Sequence, residues 1–258
     1  MTRHLWTVAA AALISMCLAS PALAQNAEVH TFHCLHSCPT GAPATNDLIV
    51  REIYSLSSND ATKMADWVAY RITPQTIGSS GARAWAPDPW LAPSETLEPA
   101  DYTGAPAALS IDRGHQAPLA SFSGTTHPEH TNYLSNITPQ SAALNQGPWV
   151  RLENAERALV RSSAGAVYVL TGPLFERDMR PLPRADEPHR VPSGYWKIVM
   201  TENGRLSAFI MDGAMARNDP HCGARATVEA IEQRSGLRFF PNLARRSFRS
   251  LDAELVCP

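Results

Sequence analysis

The cysteines constrain this chain more than any other residue type, because their usable number depends on where the folded protein begins. Five are present, and the first, Cys17, lies in a segment laid out like an export signal. Arg3 and His4 form a basic start, residues 5–18 an apolar stretch too short to span a bilayer comfortably, and Ala22-Leu23-Ala24 the small residues that a signal peptidase accepts. Cleavage before Gln25 is expected, with residues 1–24 the signal peptide and 25–258 a single domain. A retained anchor and acylation of Cys17 are the competing readings; Met16 is bulky where lipidation calls for a small residue. Signal removal leaves Cys34, Cys38, Cys222 and Cys257, an even set suited to disulfides in an oxidising compartment, and so to a secreted or periplasmic protein. Three pairings are open, and close spacing favours Cys34–Cys38 with Cys222–Cys257. The rival is a zinc cluster of His30, His33, Cys34, His36 and Cys38, a use of thiolates more common in reducing compartments.

No later segment is long and apolar enough to cross a membrane, so no membrane association is expected once the signal is gone. The signal takes one counted charge with it, Arg3, which leaves 21 basic against 24 acidic residues, a net charge of −3. A protein of that balance binds nucleic acid only if its arginines are gathered locally. No internal repeat or Gly/Ser linker divides the remaining residues, which suffice for one core.

Residues 47–56 and 65–73 are rich in Ile, Val, Tyr and Trp and read as a hairpin about a polar turn at 57–63. The Pro, Gly and Ser of residues 73–106 predict a long ordered loop, which carries Arg83. Further strands are expected at 166–170, 195–200 and 206–211, and a short helix at 226–234 ending near Gly236. Strands and helices interspersed in this way predict an α+β fold, a mixed and largely antiparallel sheet with flanking helices. A longer helix is expected over 142–161, with Pro148 accommodated in its first turn. Asn145, Trp149, Glu153 and Arg157 then recur every four residues along one stripe. Taken alone, Glu153 and Arg157 read as an exposed i, i+4 ion pair.

That balance changes with Asp112-Arg113-Gly114-His115 upstream, followed by Ser135-Asn136-Ile137-Thr138-Pro139-Gln140 and then by residues 144–153, Leu-Asn-Gln-Gly-Pro-Trp-Val-Arg-Leu-Glu. In this order and spacing the chain resembles the DNA/RNA non-specific endonuclease family, the sugar-nonspecific nucleases with a ββα-metal site. The likeness extends through residues 51–73, Arg83, residues 99–102 and 168–178. It implies His115 as general base, Asn145 as the one direct protein ligand of Mg2+ (Mn2+ substituting), and Glu153 as the holder of metal-bound water. It implies Arg83, Arg113 and Arg157 as phosphate-side cations, Asn136 as a further active-site polar residue, DNA and RNA as substrates cut to 5′-phosphorylated oligonucleotides, and compatibility with a homodimer. The C-terminal part departs from the family pattern, as does Pro148.

Phosphodiester hydrolysis accounts for these residue types independently. It needs an activated water, neutralised phosphoryl oxygens and help for the departing 3′ oxygen. A neutral imidazole supplies the first, and the planar fork of arginine suits the second. Magnesium keeps several waters and accepts few protein ligands, so one amide oxygen with a carboxylate nearby suits it better than it suits zinc. Plainer readings stand beside each: Arg113 paired with Asp112, Arg157 with Glu153, Arg83 in solvent, His115 bonded in a turn, and Asn136-Ile137-Thr138 as a glycosylation acceptor. His127 and His130 read as structural. Trp85, Trp90 and Trp149 offer either packing or stacking on bases. The competing functions are a catalytically silent nucleic-acid-binding module on this scaffold and a phosphodiesterase for another substrate.

Overall fold

The computed structural model describes residues 28–79, 81–163, 165–241, 243 and 248–257. The expected signal peptide, residues 1–24, lies outside the described residues. In chain order the elements are β1 (Asp47–Val50), β2 (Ser55–Asn59), β3 (Met64–Ile72), α1 (Ala105–Leu109), β4 (Ile111–His115), α2 (Leu119–Phe122), β5 (Ile137–Ser141), α3 (Ala142–Leu144), α4 (Val150–Ser163), β6 (Val167–Leu174), β7 (Gly194–Thr201), β8 (Arg205–Asp212), β9 (Arg225–Ala226), α5 (Val228–Ser235) and β10 (Arg249–Ser250).

The main sheet runs β1-β2-β3-β6-β7-β8-β10, antiparallel except for the last pair, and β9 pairs with the remaining part of β8. Both of its faces are covered, which explains why its central strands are apolar in continuous runs rather than in alternation. From β3, Val68, Tyr70 and Ile72 enter one core with Leu152 and Leu159 of α4, whereas Trp67 and Ala69 enter the other with Val228 and Ile231 of α5. The strands β4 and β5 form a separate antiparallel ribbon, in which His115 lies opposite Ile137. Ribbon and following helix make the ββα unit.

The first expected hairpin is a three-stranded meander. Residues 47–56 are two strands, because the chain reverses at Arg51, whose N–H donates to Tyr54 O at 2.8 Å. The Arg51 guanidinium turns inward to a buried ion pair with Asp88. No Gly or Pro marks this reversal, and the side chain at its corner is held by a carboxylate 37 residues away in sequence. The next turn is shorter than residues 57–63, since β2 persists to Asn59 and β3 begins at Met64.

The long helix over residues 142–161 is also corrected. It is α3, then a wider turn at Asn145–Trp149, then α4, with the break at Gly147 (φ −122, ψ −113). A Cβ on Gly147 would meet Arg217 O at 2.5 Å and Arg217 Cα at 2.8 Å, so only glycine admits the 213–220 loop here. Arg151 clamps that loop by donating to the carbonyls of Arg217 and Asp219. Pro148 therefore precedes a second helix rather than starting a continuous one.

Cysteines pair as expected, Cys34 with Cys38 and Cys222 with Cys257. The zinc alternative loses its thiolates to the first bridge, and His33 is taken by Ser55 Oγ at 2.8 Å and Glu52 O at 3.1 Å. Among the described residues, no helix is long and apolar enough to cross a membrane.

Beneath α4, Lys197 of β7 lies 3.1 Å from Glu156 Oε1, both side chains being fully buried. Tyr70 OH donates to Glu156 Oε2 at 3.1 Å, and the ammonium sits 4.2 Å from the centre of the Trp149 ring. Removing one member strands the other charge in a dry interface. Glu156→Leu or Lys197→Met alone should cost roughly 3–5 kcal/mol in urea unfolding, whereas the double variant should recover most of that loss. Singles that each cost under about 1 kcal/mol would show that α4 does not depend on this pair.

Candidate active site

A cavity of about 540 Å³ opens where the β4–β5 ribbon meets α4, and its lining includes Arg83, Arg113, His115, Asn145, Glu153 and Arg157. These are all of the expected site residues but one. They arrive by four routes. The β4 strand supplies Arg113 and His115, and the 73–106 loop supplies Arg83 and Trp85. The wide turn supplies Asn145, and α4 supplies Glu153 and Arg157, one turn apart. Gly114 is needed between the two β4 side chains, because Gln140 crosses its face; a Cβ there would lie 2.3 Å from Gln140 Oε1.

His115 is nearly enclosed. Its Nε2 lies 3.0 Å from Asn132 Oδ1, and its carbonyl accepts from Trp149 Nε1 at 3.2 Å. An amide oxygen accepts only, so Nε2 carries the hydrogen in the neutral ring and Nδ1 keeps the lone pair. Burial pulls the imidazole down to about 4; the bond to Asn132 opposes this, and the positive charge of Arg83 adds to it. His115 is thus a neutral imidazole throughout the physiological range.

Glu153 shifts the other way. Burial pushes it up to about 7, with Lys197 opposing, Glu156 reinforcing and Arg157 opposing. The two groups are separated in role by environment, an enclosed histidine kept neutral and a carboxyl balanced near neutrality.

Arg113 and Arg157 are not engaged as the plainer readings supposed, whereas Arg83 is exposed, as its plainer reading had it, while also lining the cavity. Arg113 donates to Pro99 O at 2.8 Å and lies over the rings of Tyr102 and Trp85, at 5.0 Å and 5.6 Å from their centres. Arg157 donates to Ser121 Oγ at 3.1 Å and Asn154 Oδ1 at 2.7 Å. Neutral acceptors hold both guanidiniums in place without cancelling their charge. Asp112 instead receives the amides of Asn145, at 3.0 Å, and Gln146, at 2.7 Å.

That arrangement bears on a cation. The Asn145 Nδ2 is spent on Asp112, so its oxygen is the atom left for a ligand, with the Glu153 carboxylate lining the same cavity. Among the described residues, the groupings of three or more His, Cys, Asp and Glu close enough to share an ion all lie elsewhere. Sparse, hard oxygen donors suit magnesium, which retains water, and do not suit zinc.

Asn136 is the expected residue that does not line the cavity. Fully buried, it donates to Ala117 O at 2.9 Å and Thr131 O at 2.8 Å and accepts from Ala117 N at 2.9 Å. It staples the segment after His115 to the turn before Asn132. Trp149 is core, edge-on to Tyr195 with centres 5.5 Å apart, whereas Trp85 stands 5.2 Å from the His115 ring. Sequence reasoning missed Asn132. Its nearness to Asn136 was the only signal, and nothing in the chain order says which amide faces the histidine.

Comparisons with known proteins follow this geometry. A profile of the DNA/RNA non-specific endonuclease family matches residues 36–246. A nuclease of Serratia marcescens is 49% identical over 216 residues, 82% of this chain and 81% of the relative. Human mitochondrial endonuclease G is 31% identical over 230 residues, 80% of this chain and 74% of the relative. A solved EndoG/EndoGI complex matches in fold, with a TM-score of 0.68 at 22% identity over 81% of this chain and 92% of that one. With its ribbon, its wide turn and its helix around one arginine-lined cavity, the chain belongs to the DNA/RNA non-specific endonuclease family.

Proposed function

We propose that this protein is an exported magnesium-dependent endonuclease that hydrolyses the phosphodiester backbone of DNA and RNA with little regard for sequence or sugar. The observation that carries the reading is the meeting of a neutral histidine, an amide oxygen, a carboxyl and three guanidiniums in one cavity. The arginines answer the objection from net charge, since positive charge is concentrated where a phosphate would sit. Two disulfides agree with export into an oxidising compartment.

In this mechanism His115 Nδ1 takes the proton of the attacking water, and Asn132 keeps Nε2 protonated so that Nδ1 is the free base. Arg113, Arg157 and Arg83 bind the phosphoryl oxygens and meet the charge that grows on them. Asn145 would hold magnesium through its oxygen, with Glu153 orienting water beside it; when bound, the ion supplies Lewis acidity toward the phosphoryl and departing 3′ oxygens. None of these groups reads a base edge or the 2′ position, so cleavage should ignore both. The product carries a 5′ phosphate.

Digestion of plasmid DNA and ribosomal RNA, with and without chelator, tests the reading: both should be cut, EDTA should stop both, and magnesium or manganese should restore them. Undiminished cutting in a verified metal-free sample would refute it. His115→Ala should lower kcat on both substrates by at least ~10²-fold, beyond rescue by added metal. Asn132→Ala should lower kcat by at least ~10-fold with KM nearly unchanged, through loss of the tautomer. Parental turnover in either variant would remove that residue from the mechanism.

The pH profile separates the two buried groups. Protonation disables either one, so activity falls as pH drops through the relevant value, near 7 for Glu153 and near 4 for His115. A cation binding beside Glu153 competes with its proton. Initial rates should therefore show an acid limb near neutrality at scarce magnesium, and that limb should move to lower pH as magnesium is raised. Glu153→Gln should abolish the movement, and a limb indifferent to magnesium in the parent would break the link.

A further inference from the structure

The 73–106 loop brings more than Arg83 and Trp85 to this region. Trp90 is 59% exposed, one of few large apolar side chains on the surface among the described residues, yet it is held firmly from behind. The Arg51 guanidinium lies 3.8 Å from the centre of its inner face and 4.6 Å from the ring of Tyr133, so cation and rings form a sandwich. Asp88 receives both Arg51 Nη2 and Trp90 N–H, the latter at 3.0 Å, and Ser135 Oγ donates to its other oxygen. The indole is thereby fixed at its inner face and at its backbone, and only the outer face is free.

The sandwich is wired to the cleavage cavity. Tyr133 directly follows Asn132, the partner of the His115 Nε2, and Ala86 is bridged to Tyr133 through hydrogen bonds of Asn132 and Leu134. Trp90 and His115 are thus joined by a short chain of contacts through Arg51, Tyr133 and Asn132, so a strand whose phosphate lies against Arg83 and His115 can place a base on the Trp90 ring within a few nucleotides. A flat, pre-oriented aromatic face beside a phosphate site binds any nucleobase, because every base has a π-face. The base must be unpaired to lie on it.

We propose that Trp90 is a base-stacking platform for single-stranded substrate beside the cleavage cavity. It rests on the nuclease reading and adds a preference of strand form. Stacking of this kind tolerates every sequence, so it is compatible with indiscriminate cutting.

The test compares the protein with its Trp90→Ala and Trp90→Phe variants at saturating magnesium, on a single-stranded DNA homopolymer and on an equally long polymer of abasic tetrahydrofuran residues. The two substrates share phosphates and differ in bases. On the base-bearing strand, Trp90→Ala should raise KM by about ten-fold, within the range seen when a stacking ring is removed, with kcat kept. On the abasic strand its KM should equal that of the parent, and Trp90→Phe should stay near the parent on both. An unchanged KM for Trp90→Ala on the base-bearing strand would overturn the proposal. So would an equal rise on both strands, which would mark Trp90 as a support of the loop. Either result leaves the nuclease reading standing, whereas failure of the parent protein to cut either polymer would overturn that reading and the platform with it.

Discussion

The Lys197–Glu156 pair under α4 is the constraint on which the rest of the site depends. A lysine in the middle of β7, fully buried, has no stable place without a carboxylate, and a carboxylate inside α4 has none without the lysine. Each strand and helix position is therefore fixed by the other to within a hydrogen bond. Tyr70 from β3 and the Trp149 ring close the arrangement. Apolar packing of α4 on the sheet is non-directional, whereas the ion pair is satisfied only in one placement. The ion pair removes that freedom, and Glu153 and Arg157, on the same helix, inherit its placement.

The same charges reach the chemistry. Lys197 draws the Glu153 carboxyl down while Glu156 pushes it up, so the buried pair partly cancels itself and leaves desolvation as the dominant influence. Neutral acceptors orient Arg113 and Arg157. A carboxylate partner would hold them equally well and would spend the charge that a phosphate requires. The choice of carbonyl, hydroxyl and amide partners leaves local positive charge in a chain whose formal net charge is −2.

The cavity-lining residues come from a strand, a loop, a turn and a helix, and the core geometry holds them in register. The close contact of Gly147 with the 213–220 loop and the clamp from Arg151 fix the turn that carries Asn145. Asn136 performs a comparable service for His115, from behind. Residues outside the cavity thus set the positions of those that line it.

Much of the site was legible in the order of the chain. Arg113, His115, Asn145, Glu153, Arg157 and Arg83 were all named by motif and resemblance, the cysteine pairing by spacing, and the central strands by their apolar runs. These are local signals, set by residue type and by separation along the sequence. Three things were decided only in space. The reversal at Arg51 has no turn residue, and its corner residue is held by a buried ion pair with Asp88 that the local sequence does not announce. The helix break before α4 depends on another segment's backbone lying against Gly147, and an i, i+4 pattern cannot register that. Asn132 and Asn136 are alike on paper, and only the packing of their turn sends one to the imidazole and the other into a carbonyl network. Sequence specifies which chemical groups are available and the local periods in which they recur; which groups meet is settled by long-range desolvation, since a buried polar atom must find its partner wherever the fold has put one.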